Sequence, residues 1–222
     1  MAEPWYALTV GVLRPSLALY FNWRFEGLEQ VPRTGPLLVA ANHISELDPL
    51  AHGYFLVKAG RRPRFLGKSE LWRNALLRPM LRGTRQIPVH RGTGEATPVE
   101  TAVERLRRGE CVVVYPEATL TKNPDYSPMR AKTGIARVAI EASVPVLPVA
   151  AWGTHKVLPR HGEQRNLAWA RPIMVKAGPP LDLSRYEDDE DRGAYREATD
   201  EVMAELSGLV SDLRARYPKR WA

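Results

Sequence analysis

Leu37-Leu38-Val39-Ala40-Ala41-Asn42-His43-Ile44-Ser45-Glu46-Leu47-Asp48-Pro49 is the stretch from which the architecture of this chain reads. Five apolar residues without polar alternation, following Pro32 and Gly35, predict a strand buried on both faces. The polar run behind them predicts a turn and a helix entry. Open α/β sheets hold ligands beyond the carboxyl ends of their strands, so residues 42–49 fall where a site is expected.

Outward from this strand the same alternation continues. Short strands are predicted at Arg64–Gly67 and Gln86–His90, around a helix over Glu70–Leu81 that is kinked or started anew at Pro79. Thr97, Pro98 and Glu100 spell a capping box, and Arg107-Arg108-Gly109 closes that helix as C-terminal charge and glycine should. Cys111–Tyr115 and Val146–Ala151 read as buried strands, Thr133–Ala142 as a helix and Ile173–Lys176 as a further strand. The acidic run Glu187–Asp191 suits the start of a helix whose Val202, Leu206, Leu209 and Leu213 share a face. Strands alternating with helices predict an α/β fold: a mixed, largely parallel sheet flanked by helices. Residues 4–21 are apolar and aromatic with Pro15 between them, predicting two short helical pieces. The expected organisation is an N-terminal interfacial helical segment (1–30) and an α/β domain (31–222).

A chain of 222 residues with 44% hydrophobic and 26% charged residues buries a core without disulfide or metal staples. A single cysteine, Cys111, excludes an internal disulfide and fits a reducing compartment. Arg14-Pro15 and Asn22–Arg24 break the apolar N-terminal runs short of the ~20 residues a membrane span needs. Glu3 and Pro4 stand where a secretory leader carries positive charge. The expected location is cytoplasmic, peripherally associated with the inner face of the cell membrane.

The net charge of +7 is unevenly spread. Residues 58–91 hold ten basic side chains and one acid, Glu70, which leaves the rest of the chain slightly negative. A concentrated basic tract implies an anionic partner. With only Phe65 and Trp72 interleaved, and with Pro63, Pro79, Gly83 and Pro88 interrupting it, the tract lacks the make-up of a nucleic-acid platform.

The chemistry concentrates in His43 and Asp48. A turn that folds Asp48 back toward His43 lets the carboxylate hold one ring nitrogen protonated and leaves the other as a base. Ser45 lies between them, but no G-x-S-x-G elbow surrounds it, which disfavours a covalent acyl-serine. His52 and His90 have no comparable context and read as structural. None of the five histidines shows metal-ligand spacing, so no metal is expected.

Asn42-His43 with Asp48 (NHxxxxD) is followed in order by Lys68-Ser69-Glu70-Leu71 with Ile87-Pro88-Val89-His90-Arg91, Tyr115-Pro116-Glu117, and Val144-Pro145-Val146-Leu147-Pro148-Val149. This series resembles the four blocks of the glycerolipid acyltransferase family, whose best-known members are 1-acylglycerol-3-phosphate acyltransferases. The resemblance spans residues 42–149. It implies transfer of a fatty acyl group from acyl-CoA or acyl carrier protein to a lysophospholipid hydroxyl, with no cofactor and an anionic membrane surface as partner. It implies His43 and Asp48 as catalytic, and Lys68, Arg91, Glu117, Thr119 and Lys132 as acceptor-binding. The third block departs from the family's usual Phe-Pro-Glu-Gly-Thr-Arg-Ser: Ala118 replaces the glycine and Leu120 the arginine. Losing that arginine opens alternatives: another lipid or glycolipid hydroxyl as acceptor, or a catalytically silent lipid-binding scaffold.

Overall fold

In a computed structural model, residues 4–89, 97–160, 169–186 and 192–221 are described. The order is α1 (Pro4–Tyr20), β1 (Asn22–Glu26), β2 (Leu37–Ala41), α2 (Asp48–Lys58), β3 (Pro63–Lys68), α3 (Leu77–Gly83), β4 (Ile87–Val89), α4 (Pro98–Arg107), β5 (Cys111–Val114), α5 (Gly134–Ala142), β6 (Val146–Trp152), β7 (Pro172–Ala177) and α6 (Arg192–Arg216). The strands form a seven-stranded sheet in the order β1-β7-β6-β2-β5-β3-β4. From β6 to β4 every neighbour pair is parallel, β7 returns antiparallel on β6, and β1 lies parallel to β7. The mixed, largely parallel sheet expected from the sequence is the fold.

The apolar stretch 37–41 works as its pattern requires. Leu37, Val39 and Ala41 face α2, packing with Ala51, Phe55 and Leu56. Leu38 and Ala40 face the other way, against Ala102, Val103 and Leu106 of α4, Ile135 and Ala139 of α5, and Val202 of α6. All five are fully buried. Burying the two leucines and the valine contributes roughly 1.5–3 kcal/mol each, and the alternation forbids a one-residue slip of the strand. The capping box forms as read: Thr97 Oγ1 accepts from the Glu100 N–H, and Glu100 Oε2 accepts from the Thr97 N–H.

Three expectations change. Residues 4–20 form one helix with Pro15 inside it, not two pieces. The carbonyl that Pro15 leaves without a donor belongs to Gly11, which is exposed. Asn22–Glu26 then joins the sheet as its edge strand, so the helical appendage ends at Tyr20. The helix expected over 70–81 is a short 3-10 turn, Ser69–Arg73, followed by α3. Asn74 Oδ1 accepts from the N–H groups of Leu76 and Leu77 at 2.9 and 3.2 Å, starting a new helix, and Pro79 falls in its first turn where no N–H is needed.

Parts of the basic tract are also structural. Buried Arg61 donates to the carbonyls of Pro32 and Gly35, and buried Arg64 to that of Thr84. Their charge holds loops together and does not face an outside partner.

Candidate active site

The site forms at the carboxyl ends of β2, β5 and β6. Beyond β2, Asn42 is fully buried and reaches across to β6, where its amide donates to the Ala151 carbonyl at 3.0 Å and accepts from the Ala151 N–H at 2.7 Å. That bridge fixes where the chain leaves the sheet, and His43 follows.

The next turn closes on Asp48, the first residue of α2. Asp48 Oδ2 accepts from the N–H groups of Ile44 and Ser45 at 2.6 and 2.7 Å and lies 3.0 Å from His43 Nδ1. Oδ1 accepts from the Thr154 hydroxyl at 2.6 Å. The carboxylate is wholly buried at a helix N-terminus, where aligned N–H groups and the helix dipole favour its negative charge. An acceptor so saturated leaves His43 Nδ1 to carry the proton, and the lone pair is then on Nε2. His43 keeps partial solvent access. The arrangement is that of an oriented imidazole base with its carboxylate behind it.

Tyr115, past the end of β5, stacks on the His43 ring with centroids 4.1 Å apart and planes 19° apart. Its hydroxyl lies 3.3 Å from His52 Nδ1. Burial, with Asp48 nearby, pushes the Tyr115 phenol well above its ordinary range. Burial likewise lowers His52 to about 4, so this ring is neutral.

Glu117 is buried and uses both oxygens on backbone. Oε1 accepts from the His43 N–H at 3.3 Å, and Oε2 from the Met129 N–H at 2.8 Å. Its position ties His43 to the loop of residues 118–131, and Thr121 adds a second tie through its N–H to the His43 carbonyl at 2.7 Å. Burial raises the Glu117 pKa against the pull of those N–H groups. Ala118 sits in the left-handed region at φ 59°, a conformation glycine adopts without strain.

Thr119 and Lys132 are exposed on that loop's ends, and Lys68 is exposed at the end of β3. Arg91 lies outside the described residues. Ser45 is no nucleophile: its buried hydroxyl donates to the Leu158 carbonyl at 2.6 Å and accepts from the Leu47 N–H at 3.0 Å. The Cys111 thiol is buried in the sheet and pushed up to about 12. Among the described residues no group of three metal-ligating side chains converges.

Thr154 is one contributor that sequence reading missed, as are Tyr115 and His52. The signal for Thr154 was positional: it follows β6, at the same edge as His43. Gly153 makes the turn possible, at φ 96° and so close to β7 that a Cβ would meet the Pro172 carbonyl oxygen at 2.5 Å.

Comparison with known proteins places this geometry. The family model described as Acyltransferase matches residues 22–152, more than half of the chain, including His43, Asp48, Tyr115 and Glu117. The 1-acyl-sn-glycerol-3-phosphate acyltransferase of Bacillus subtilis is 22% identical over 94% of this chain and 100% of its own length. The probable enzyme of that name in Mycoplasma genitalium is 32% identical over 59% of this chain, and a chloroplast one from Brassica napus is 25% identical over 69%. The chain spans about half the length of these last two relatives. The crystal structure of the 1-acyl-sn-glycerophosphate acyltransferase PlsC from Thermotoga maritima superimposes with a TM-score of 0.72, covering 96% of this chain and 81% of that one at 23% identity, a likeness of fold. With the His43–Asp48 turn lying inside the matched region, the chain belongs to the acyltransferase family.

Proposed function

We propose that this protein transfers a fatty acyl group from acyl-CoA or acyl carrier protein to the hydroxyl of lysophosphatidate or a related lysophospholipid. The observation that carries this reading is the buried Asp48 carboxylate locking His43 Nδ1 as a donor. Nε2 takes the acceptor's hydroxyl proton as its oxygen attacks the thioester carbonyl, and the imidazolium that forms is stabilised by Asp48. Collapse of the tetrahedral intermediate breaks the C–S bond, and the departing thiolate takes the proton from Nε2. General-base help of this kind is worth ~10²–10⁴ in rate and needs no acyl-enzyme. Lys68, Arg91, Thr119 and Lys132 are the acceptor-side residues in this reading, through charge-assisted bonds to phosphate. Glu117, both of whose oxygens are taken by backbone, positions the loop that carries Thr119 and leads into Lys132.

Leu120 in place of the family's usual arginine favours a second reading, a lipid or glycolipid acceptor with less phosphate charge. A screen of acceptors with one labelled long-chain acyl-CoA decides. Lipid product with lysophosphatidate supports the first reading, product only with other hydroxyl lipids the second, and none with any acceptor leaves the lipid-binding scaffold. His43→Ala retaining more than a tenth of the wild-type kcat removes the base assignment.

The setting proposed for this reaction is the surface of an anionic membrane, on its cytoplasmic face. Among the described residues no helix is long and apolar enough to cross a bilayer. Leu8, Val12 and Leu19 share one face of α1 and are exposed, and α3, which packs beside α1, has exposed Leu77, Arg78 and Arg82, with exposed Leu76 just before it. Apolar side chains beside arginines match a lipid interface. The N-terminal aromatic residues do not join this face: Tyr6 is buried beneath Arg62 and Arg64, and Phe21 and Trp23 pack on the core. Sedimentation with vesicles of anionic lipid tests this setting. Leu8→Asp/Val12→Asp and Leu76→Asp/Leu77→Asp are each expected to weaken binding, and undiminished binding by both removes it.

A further inference from the structure

His52 is a buried titratable group that the mechanism above leaves idle. It has no solvent exposure, and its Nε2 has no hydrogen-bond partner among the described residues. A buried polar atom without a partner costs stability, so its retention asks for a reason. The reason lies on its other nitrogen. Nδ1 is 3.3 Å from the hydroxyl of Tyr115, the residue whose ring lies flat on His43.

Asp48 and His52 are one turn apart on α2 and so occupy the same face of that helix. Asp48 grips the edge of the His43 imidazole, and His52 grips the plate against which the imidazole lies. We infer that Tyr115 is a positioning residue for His43, and that the buried His52 is what holds Tyr115 in place. The inference rests on His43 being the base of the proposed reaction. The carboxylate contact alone allows the ring to pivot about the Nδ1–Oδ2 line, whereas a face-to-face contact at 4.1 Å removes that freedom. The stacked ring also offers its electron-rich face to the imidazolium that forms when Nε2 takes a proton.

A double-mutant cycle with a stack-removing control tests this. Tyr115→Phe keeps the plate and loses the tether, His52→Leu loses the tether from the other side, and Tyr115→Leu removes the plate. With labelled long-chain acyl-CoA and whichever acceptor the screen identifies, Tyr115→Leu is expected to lower kcat about tenfold or more with KM nearly unchanged. Tyr115→Phe and His52→Leu are each expected to cost about fivefold, and the double variant no more than the worse single one. Losses that multiply in the double variant, or that appear in KM with kcat kept, overturn the inference. A second measurement needs no substrate: the Cε1–H resonance of His43 in 13C-histidine-labelled protein. Ring current from Tyr115 shifts it upfield, Tyr115→Phe preserves that shift, and Tyr115→Leu abolishes it. An unmoved resonance in Tyr115→Leu overturns the stack. A moved resonance in a protein inert toward every acceptor upholds the stack and overturns the proposed reaction instead.

Discussion

Thr154 and Asp48 are 106 positions apart in sequence and 2.6 Å apart in the fold, where the threonine hydroxyl donates to the carboxylate oxygen that faces away from His43. The bond is buried, and its acceptor is charged, so it is worth about 1.5–3 kcal/mol. It fixes the carboxylate plane from β6 while α2 fixes its position. Thr154→Val keeps the shape and removes the donor. Steady-state kinetics should show kcat reduced about tenfold with KM nearly constant, and Thr154→Ser should recover most of it. Full activity in the valine variant would assign Thr154 to packing alone.

The neighbouring carboxylate separates charge from structure. Asp48→Asn retains an oxygen that can accept from the Ile44 and Ser45 N–H groups and from His43 Nδ1. It lacks the charge that stabilises an imidazolium. We expect kcat to fall about a hundredfold, within the range of general-base help. Asp48→Ala strands several buried donors at about 1–3 kcal/mol each and should unfold at markedly lower urea concentration. Equal activity loss with equal destabilisation in both variants would contradict the distinction.

Ala118 at φ 59° is a place where the chain is improvable. A left-handed residue with a Cβ costs roughly 1–2 kcal/mol that glycine avoids, partly offset by glycine's greater chain entropy. Ala118→Gly should therefore stabilise by about 1 kcal/mol and raise Tm by about 2–4 °C for a chain of this size. Calorimetry that shows a lower Tm would mean the loop pays in flexibility more than it recovers in strain.

Stability should fall on mild acidification. His52 and His155 are held near about 4 and about 3, in both cases chiefly by burial, against 6.5 in the unfolded chain. Below about pH 6.5 the unfolded chain binds protons that the fold refuses, so stability declines as pH drops from there toward 4 and is unaffected by these groups above it. Each histidine contributes a slope of up to about 1.4 kcal/mol per pH unit. Glu117 opposes them, because its raised pKa lets the fold take up a proton before the unfolded chain does. Urea titrations at pH 7, 6 and 5 should show the decline, and His155→Gln should flatten it. A slope indifferent to that substitution would place the acid sensitivity elsewhere.

How much was legible beforehand depends on the range of the interaction responsible. The capping box at Thr97–Glu100, the all-buried run at 37–41 and the strand expected at 111–115 follow from neighbours within four residues, and the fold forms them, the last as Cys111–Val114. The His43–Asp48 turn was also readable, since five positions are spanned by one turn of chain. Pro15 misled because its cost depends on whether the orphaned carbonyl is buried, which no local pattern states. Arg61 and Arg64 misled for the same reason: a formal charge count treats them as surface, whereas carbonyls from residues 32, 35 and 84 neutralise their need for water.

By itself, then, the order of residues determined the alternation of strands and helices, the placement of an imidazole and a carboxylate beyond a buried strand, and the departures at Ala118 and Leu120. Only the tertiary structure decided which groups converge on that pair. Thr154 from the turn after β6, Tyr115 and Glu117 from the segment after β5, and His52 from α2 reach His43 or Asp48, or the ring stacked on His43. Their convergence is a property of parallel pairing, which brings the carboxyl ends of strands distant in sequence to one edge. Hydrogen bonds at 2.6 to 3.3 Å depend on that register, and local sequence pattern carries no record of it.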